Sequence, residues 1–147
     1  MRRLKLLFLG ILSVCATMAC ADSDRLIQVK ELPAITQQFL KRHFSGVKMS
    51  VVKQDKDVFD KDYTVLLANG CSMKFDRKGY WEEIECRKSA VPSSIVPAAI
   101  MRYVKANYPG EKVRKIEKDK KGYEVKLSNG VELKFNAKLQ LVDVDVD

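Results

Sequence analysis

A chain of 147 residues with 27 Lys and Arg against 19 Asp and Glu carries a formal charge of +8, and its length suits one ordinary domain or two very small ones. With one histidine and four cysteines it holds few of the residues from which metal centres or nucleophilic sites are assembled. Three of the cations sit in the first five residues, so the basic excess is partly a property of the leader.

Met1-Arg2-Arg3-Leu4-Lys5 is a positive opening, and Leu6 to Val14 is an apolar run too short to span a bilayer. Ala19-Cys20-Ala21 places small residues where a signal peptidase reads, which makes residues 1–21 a signal peptide cleaved before Asp22. The rival is a lipoprotein signal acylated at Cys20, against which Thr17 and Met18 argue. Cleavage lowers the formal charge to +5 and leaves two cysteines, Cys71 and Cys86, in an oxidising compartment. No later segment is apolar enough to span a membrane, so the expected location is the periplasm.

Residues 22–31 read as a flexible lead-in. Leu32-Pro33 opens a helix whose apolar positions Ile35, Phe39, Leu40 and Phe44 recur at helical spacing, and Ser45-Gly46 ends it. Strands follow at about Lys48–Gln54, Asp62–Ala68, Cys71–Asp76 and Tyr80–Cys86. The unit then returns. Val96-Pro97-Ala98 repeats Leu32-Pro33-Ala34 at an offset of 64 residues, and Tyr123-x-Val125-x-Leu127-x-Asn129-Gly130 repeats Tyr63-x-Val65-x-Leu67-x-Asn69-Gly70 at an offset of 60. The second set of strands falls at about Lys112–Lys118, Tyr123–Ser128, Val131–Asn136 and Gln140–Val146. The difference in offset gives the first repeat four extra residues, in a hairpin running from Asp55 to Lys61.

Alternation also fixes register. A three-residue loop Ser128-Asn129-Gly130 sets Val125 opposite Leu133, and a two-residue turn at Lys138-Leu139 sets Leu133 opposite Val144 and Val131 opposite Val146. On the other face the same register lines up Glu124, Lys134 and Asp143. Transferred to the first repeat it puts Cys71 directly opposite Cys86, where a cross-strand disulfide is geometrically plausible; a reduced pair of buried thiols is the alternative.

The Leu-Pro-Ala and Val-Pro-Ala helix starts, the Phe44-Ser45-Gly46 and Tyr108-Pro109-Gly110 stops and the two Asn-Gly hairpins resemble the PepSY-like, β-lactamase-inhibitor-like secreted proteins of Bacteroidetes. The resemblance implies an α+β fold of two tandem α-β(4) repeats, residues 32–88 and 91–147 of one domain spanning 32–147. Their strands would join into one antiparallel sheet with the helices on one face and the other face open and concave. Related inhibitors bind partners on that face and on a hairpin tip, but no inhibitory motif is present to carry over.

No catalytic constellation can be assembled. His43 lies on a helix with no carboxylate or cysteine at a useful spacing, and there is neither a phosphate-binding glycine loop nor a metal-spaced cysteine set. Asp143, Asp145 and Asp147 alternate on a strand and read as a solvated face, lacking the loop glycine and bidentate Glu of an EF-hand. The basic run Lys112–Lys121 is diluted by Glu117 and Asp119, and secretion makes nucleic acid a poor partner. The expected function is a non-enzymatic binding protein without metal or cofactor, its partner a protein or peptide of the cell envelope. The candidate binding residues are Val58 and Phe59 at the hairpin tip, which either meet a partner or fold back onto the sheet, with Leu66 and Trp81 on an outer face that is less charged in the first repeat than in the second. Trp81 is read opposite Asp76; the alternative is a residue packing over the sheet edge. A carrier of a small ligand or metal on the concave face is the competing function.

Overall fold

The computed structural model describes residues 24–56 and 61–146. The first repeat holds α1 (Ala34–His43) and strands β2 (Met49–Lys56), β3 (Lys61–Leu67), β4 (Cys71–Phe75) and β5 (Trp81–Cys86), preceded by a short β1 (Arg25–Leu26). The second holds α2 (Ala98–Asn107), β6 (Val113–Asp119), β7 (Gly122–Leu127), β8 (Glu132–Asn136) and β9 (Leu141–Asp145). Among the described residues the nine strands form one antiparallel sheet in chain order, β1 to β9. This is the α+β architecture expected from the repeat. The predicted signal peptide at residues 1–21 and the tip residues Val58 and Phe59 lie outside the described residues.

The sheet is held by one row of apolar side chains facing the helices. In register it runs Val52, Val65, Met73, Ile84, Ile116, Val125, Leu133 and Val144, one residue from each strand from β2 to β9. The first seven are buried. The Ile84–Ile116 pair carries the row from one repeat to the other, so the two copies share a core rather than abutting as separate domains. Burying each such side chain stabilises the fold by about 1.5–3 kcal/mol, which makes this row the main reason that the sheet is continuous.

The helices close that face. Each starts after a proline, Pro33 or Pro97, and ends one turn before a left-handed glycine, Gly46 or Gly110. Thr36 and Leu40 of α1, and Ile100 and Val104 of α2, are the buried positions. Phe39 meets Phe75 edge to face with 5.7 Å between ring centres, and Tyr103 meets Phe135 in the same way at the same distance. The duplication therefore extends to ring geometry.

The Asn-Gly hairpins are built as predicted. Gly70 N–H donates to Leu67 O and Gly130 N–H to Leu127 O, both glycines at positive φ, while Asn69 and Asn129 each accept from the backbone N–H two residues on. Cys71 and Cys86 are paired directly and joined as a disulfide, both buried. Their Cα atoms are 4.1 Å apart, as suits a pair that exchanges no ladder hydrogen bonds.

Three expectations need correction. The described part of the lead-in is not an unstructured arm: Arg25–Leu26 pairs with β2, Ile27 N–H donates to Val52 O, and Val29–Glu31 forms a 3-10 turn boxed by Gln28 and Glu31. The turn predicted to be two residues long at Lys138-Leu139 is wider, closing between Asn136 and Gln140. The ladder then slips by one, so that Lys134 faces Asp143 but Phe135 faces Leu141. Val142, the residue left over, is a bulge and is 62% exposed rather than inward-facing. The same slip occurs in the first repeat, where Lys74 faces Glu83 but Phe75 faces Trp81.

Candidate functional site

The slip at β5 decides where the tryptophan points. Paired residues of an antiparallel ladder share a face, and Trp81 is paired with the fully buried Phe75 and packs against the core. It therefore lies on the helix side, not opposite Asp76 on the outer face. Lys118 Nζ sits 4.1 Å from its ring centre as a cation–π contact. Burial holds the Lys118 ammonium below the usual lysine range, opposed by the nearby Asp76 charge. Of the predicted binding residues, Leu66 alone among the described ones remains on the open face.

That face consists of two registered rows. One runs Lys53, Thr64, Lys74, Glu83, Glu117, Glu124, Lys134 and Asp143, and the other Val51, Leu66, Ser72, Glu85, Lys115, Lys126, Glu132 and Asp145. Val51, Thr64, Leu66 and Ser72 form an uncharged patch at the first-repeat end. Val51 and Leu66 are directly paired and half-buried. Val51 is the residue that sequence reasoning missed. It reaches the open face because a bulge at Ser50 shifts β2, just as a bulge at Arg114 shifts β6 and brings Lys115 to the equivalent place.

The middle of the face is charged. Glu83, Glu117 and Glu124 stand side by side on adjacent strands, an arrangement that repels itself. Lys115 relieves part of it, its Nζ 2.8 Å from Glu117 Oε1 and 3.4 Å from Glu83 Oε1. The hydrogen bond to Glu117 holds the lysine above its ordinary range, with the Glu83 charge adding to it. Lys74 reaches Glu83 at 3.7 Å and Lys126 reaches Glu132 at 3.6 Å. Partial burial raises the Glu124 carboxyl above its ordinary value; Lys134 opposes this and the charges of Glu117 and Glu132 add to it. A groove of about 810 Å³ runs over these residues to the β6–β7 turn, with Lys74, Lys118, Tyr123 and Lys134 in its lining.

His43 is accounted for structurally. Its Nδ1 shares a 2.8 Å hydrogen bond with Ser94 Oγ, which ties α1 to the segment leading into α2. Burial, then the Arg42 charge, lowers its pKa. Among the described residues no three of His, Cys, Asp and Glu are grouped to hold a metal ion, and no helix is long and apolar enough to cross a membrane. Among the described residues the buried Nη1 of Arg114 has no hydrogen-bond partner.

The model of the family described as "Putative beta-lactamase-inhibitor-like, PepSY-like" matches the chain over residues 22–75 and again over 61–143. Three solved structures are similar along nearly their whole length. A "putative calcium-regulated periplasmic protein" of Bacteroides thetaiotaomicron is 52% identical, with 86% of this chain and 99% of that one covered at a TM-score of 0.83. A "putative periplasmic protein from DUF2874 family" of Bacteroides vulgatus is 49% identical, with 86% and 99% covered at 0.81. A second Bacteroides vulgatus protein, described as periplasmic and "of unknown function", is 39% identical, with 84% and 99% covered at 0.78. No curated protein matches.

Proposed function

The chain belongs to the PepSY-like, β-lactamase-inhibitor-like family, and we propose from this that it is a periplasmic, non-enzymatic binding protein that takes a protein or peptide on the open face of its first repeat. The observation that carries the reading is the contrast between matched positions of the two copies. Where the second repeat places Lys115, Glu124, Lys126 and Glu132, the first places Val51, Thr64, Leu66 and Ser72 on the same face of the same sheet. An uncharged, partly apolar patch within a charged surface is the composition of an interface centre with a polar rim. Val58 and Phe59 lie in the sequence between β2 and β3, the strands that form this patch, and are a second proposed point of contact. Trp81 has no part in the surface, since it faces the helices.

The test is capture of periplasmic proteins by the immobilised mature chain, comparing wild type with Val51→Lys/Leu66→Lys and with Phe59→Ala. The lysine pair lies on the solvent side of the sheet and should leave the fold intact. Loss of a bound species in the lysine variant, with retention in Trp81→Phe, is the expected outcome. An unchanged set of bound proteins in both variants removes the reading.

A second reading, carriage of a small charged ligand, draws on the groove beside Glu83, Glu117 and Glu124, whose volume falls in the usual range for ligand sites. Native mass spectrometry of the purified chain would reveal a retained mass if it is right.

A further inference from the structure

The two repeats end on equivalent strands with opposite fates. In β5, Ile84 and Cys86 are fully buried because β6 pairs alongside and continues the sheet. In β9 the counterpart Val144 faces the helix side but is 39% exposed, and Val146 just after the strand is 70% exposed, with no strand beyond β9 among the described residues. The ladder alternation shows which backbone groups are left open. Leu127 N–H donates to Val131 O, so the odd residues of β8 bond to β7 and the even ones to β9. Asp143 and Asp145 thus bond inward, and the N–H and C=O of Val144 point out from the sheet.

From this geometry we infer that the β9 edge accepts an extended segment of another protein in which apolar residues alternate with lysine or arginine, extending the sheet by one strand. The polarity of that segment follows from the edge. Val144 asks for an apolar residue opposite it on the helix side, as Ile84 meets Ile116, while Asp143 and Asp145 ask for cations on the open side, as Glu85 meets Lys115. A second copy of the chain fits poorly in either arrangement. Antiparallel pairing of two β9 strands about Val144 sets Asp143 against Asp145 of the copy, like charge on like charge. Pairing of β9 with β2 of a copy, which would imitate the β5–β6 junction, meets β1 already seated on Lys53 and Gln54. Among the described residues β1 covers the β2 edge and nothing covers the β9 edge. The inference is independent of the open-face reading, since it uses a different strand and different variants.

The test uses the mature full-length chain and three peptides: Lys-Val-Lys-Val-Lys-Val-Lys, a block-ordered peptide of the same composition, and the glutamate analogue of the alternating one. The alternating basic peptide should bind and shift the amide resonances of β9. Val144→Pro removes an outward N–H without breaking the internal ladder and should weaken binding about tenfold, the equivalent of one or two backbone hydrogen bonds. Asp143→Lys/Asp145→Lys should abolish it and confer binding of the glutamate peptide, a readout that stands if the proline variant fails to fold. Equal binding of the block-ordered peptide, no change in the charge-reversed variant, or self-association through β9 would each overturn the inference.

Discussion

Thr36 Oγ1 donates a 2.8 Å hydrogen bond to Gly79 O, joining the first turn of α1 to the β4–β5 turn across 43 residues of sequence. Thr36 is fully buried, and Gly79 has a φ of +95°. A Cβ at Gly79 would lie 2.6 Å from Thr36 Oγ1 and 2.7 Å from Pro33 Cβ, so the glycine serves both the turn and the close approach of the helix. At the matched positions of the second repeat stand Ile100 and Leu139, the latter also at positive φ. One copy thus fastens helix to turn with a polar bond, and the other holds apolar side chains in both places.

Thr36→Val keeps the shape and removes the donor, leaving Gly79 O buried without its partner. It should destabilise the protein by about 1–2 kcal/mol in urea unfolding. Gly79→Ala adds backbone strain to a clash with the helix and should cost more than Thr36→Val. A Gly79→Ala variant as stable as wild type would show that α1 is not held at this point.

The Cys71–Cys86 bond closes a loop with a sequence separation of 15. In the chain-entropy account such a loop contributes about 3 kcal/mol, and engineered cases commonly yield less. Cys71→Val/Cys86→Val places valines as at the sequence-matched Val131 and Val146, so it should fold and lose stability in that range. Reduction of the wild type should give a similar loss. If reduction leaves the unfolding midpoint in place, the bond contributes nothing to the folded state.

Glu124 gives the pH dependence. Its carboxyl is raised in the folded protein from an ordinary value of 4.5, first by burial. A raised carboxylate pKa favours the folded state while the group is protonated, and that contribution is lost as pH climbs through the folded-state value. Glu124→Gln removes the cost of ionising beside Glu117 and Glu132. Its melting temperature should exceed that of wild type at pH 7 and converge with it near pH 4. An equal difference at both pH values would assign the effect to packing instead of charge.

The duplication, the helix starts and stops, the Asn-Gly hairpins and the opposition of Cys71 to Cys86 were all legible in the chain. Each depends on local chemistry or on strict alternation over a few residues, and two copies of one pattern check each other. Two stretches of the apolar row, Val65–Met73–Ile84 and Val125–Leu133–Val144, follow from the same alternation. What alternation could not supply was the bulges. A bulge adds one residue to one strand without altering the apolar pattern on either side, so Leu133 met Val144 as expected while Val142 and Trp81, nearer the turns, changed face.

The sequence by itself determined that a helix-and-meander unit was written twice, because periodicity and turn residues act within a few positions of themselves. Only the tertiary structure decided that the copies share one sheet through Ile84 and Ile116, that Val51 joins Leu66 on the open side, and that β9 has no neighbour but β8 among the described residues. Those outcomes depend on which strand lies beside which and on single-residue slips in the ladder, and contacts between residues distant in sequence carry that information.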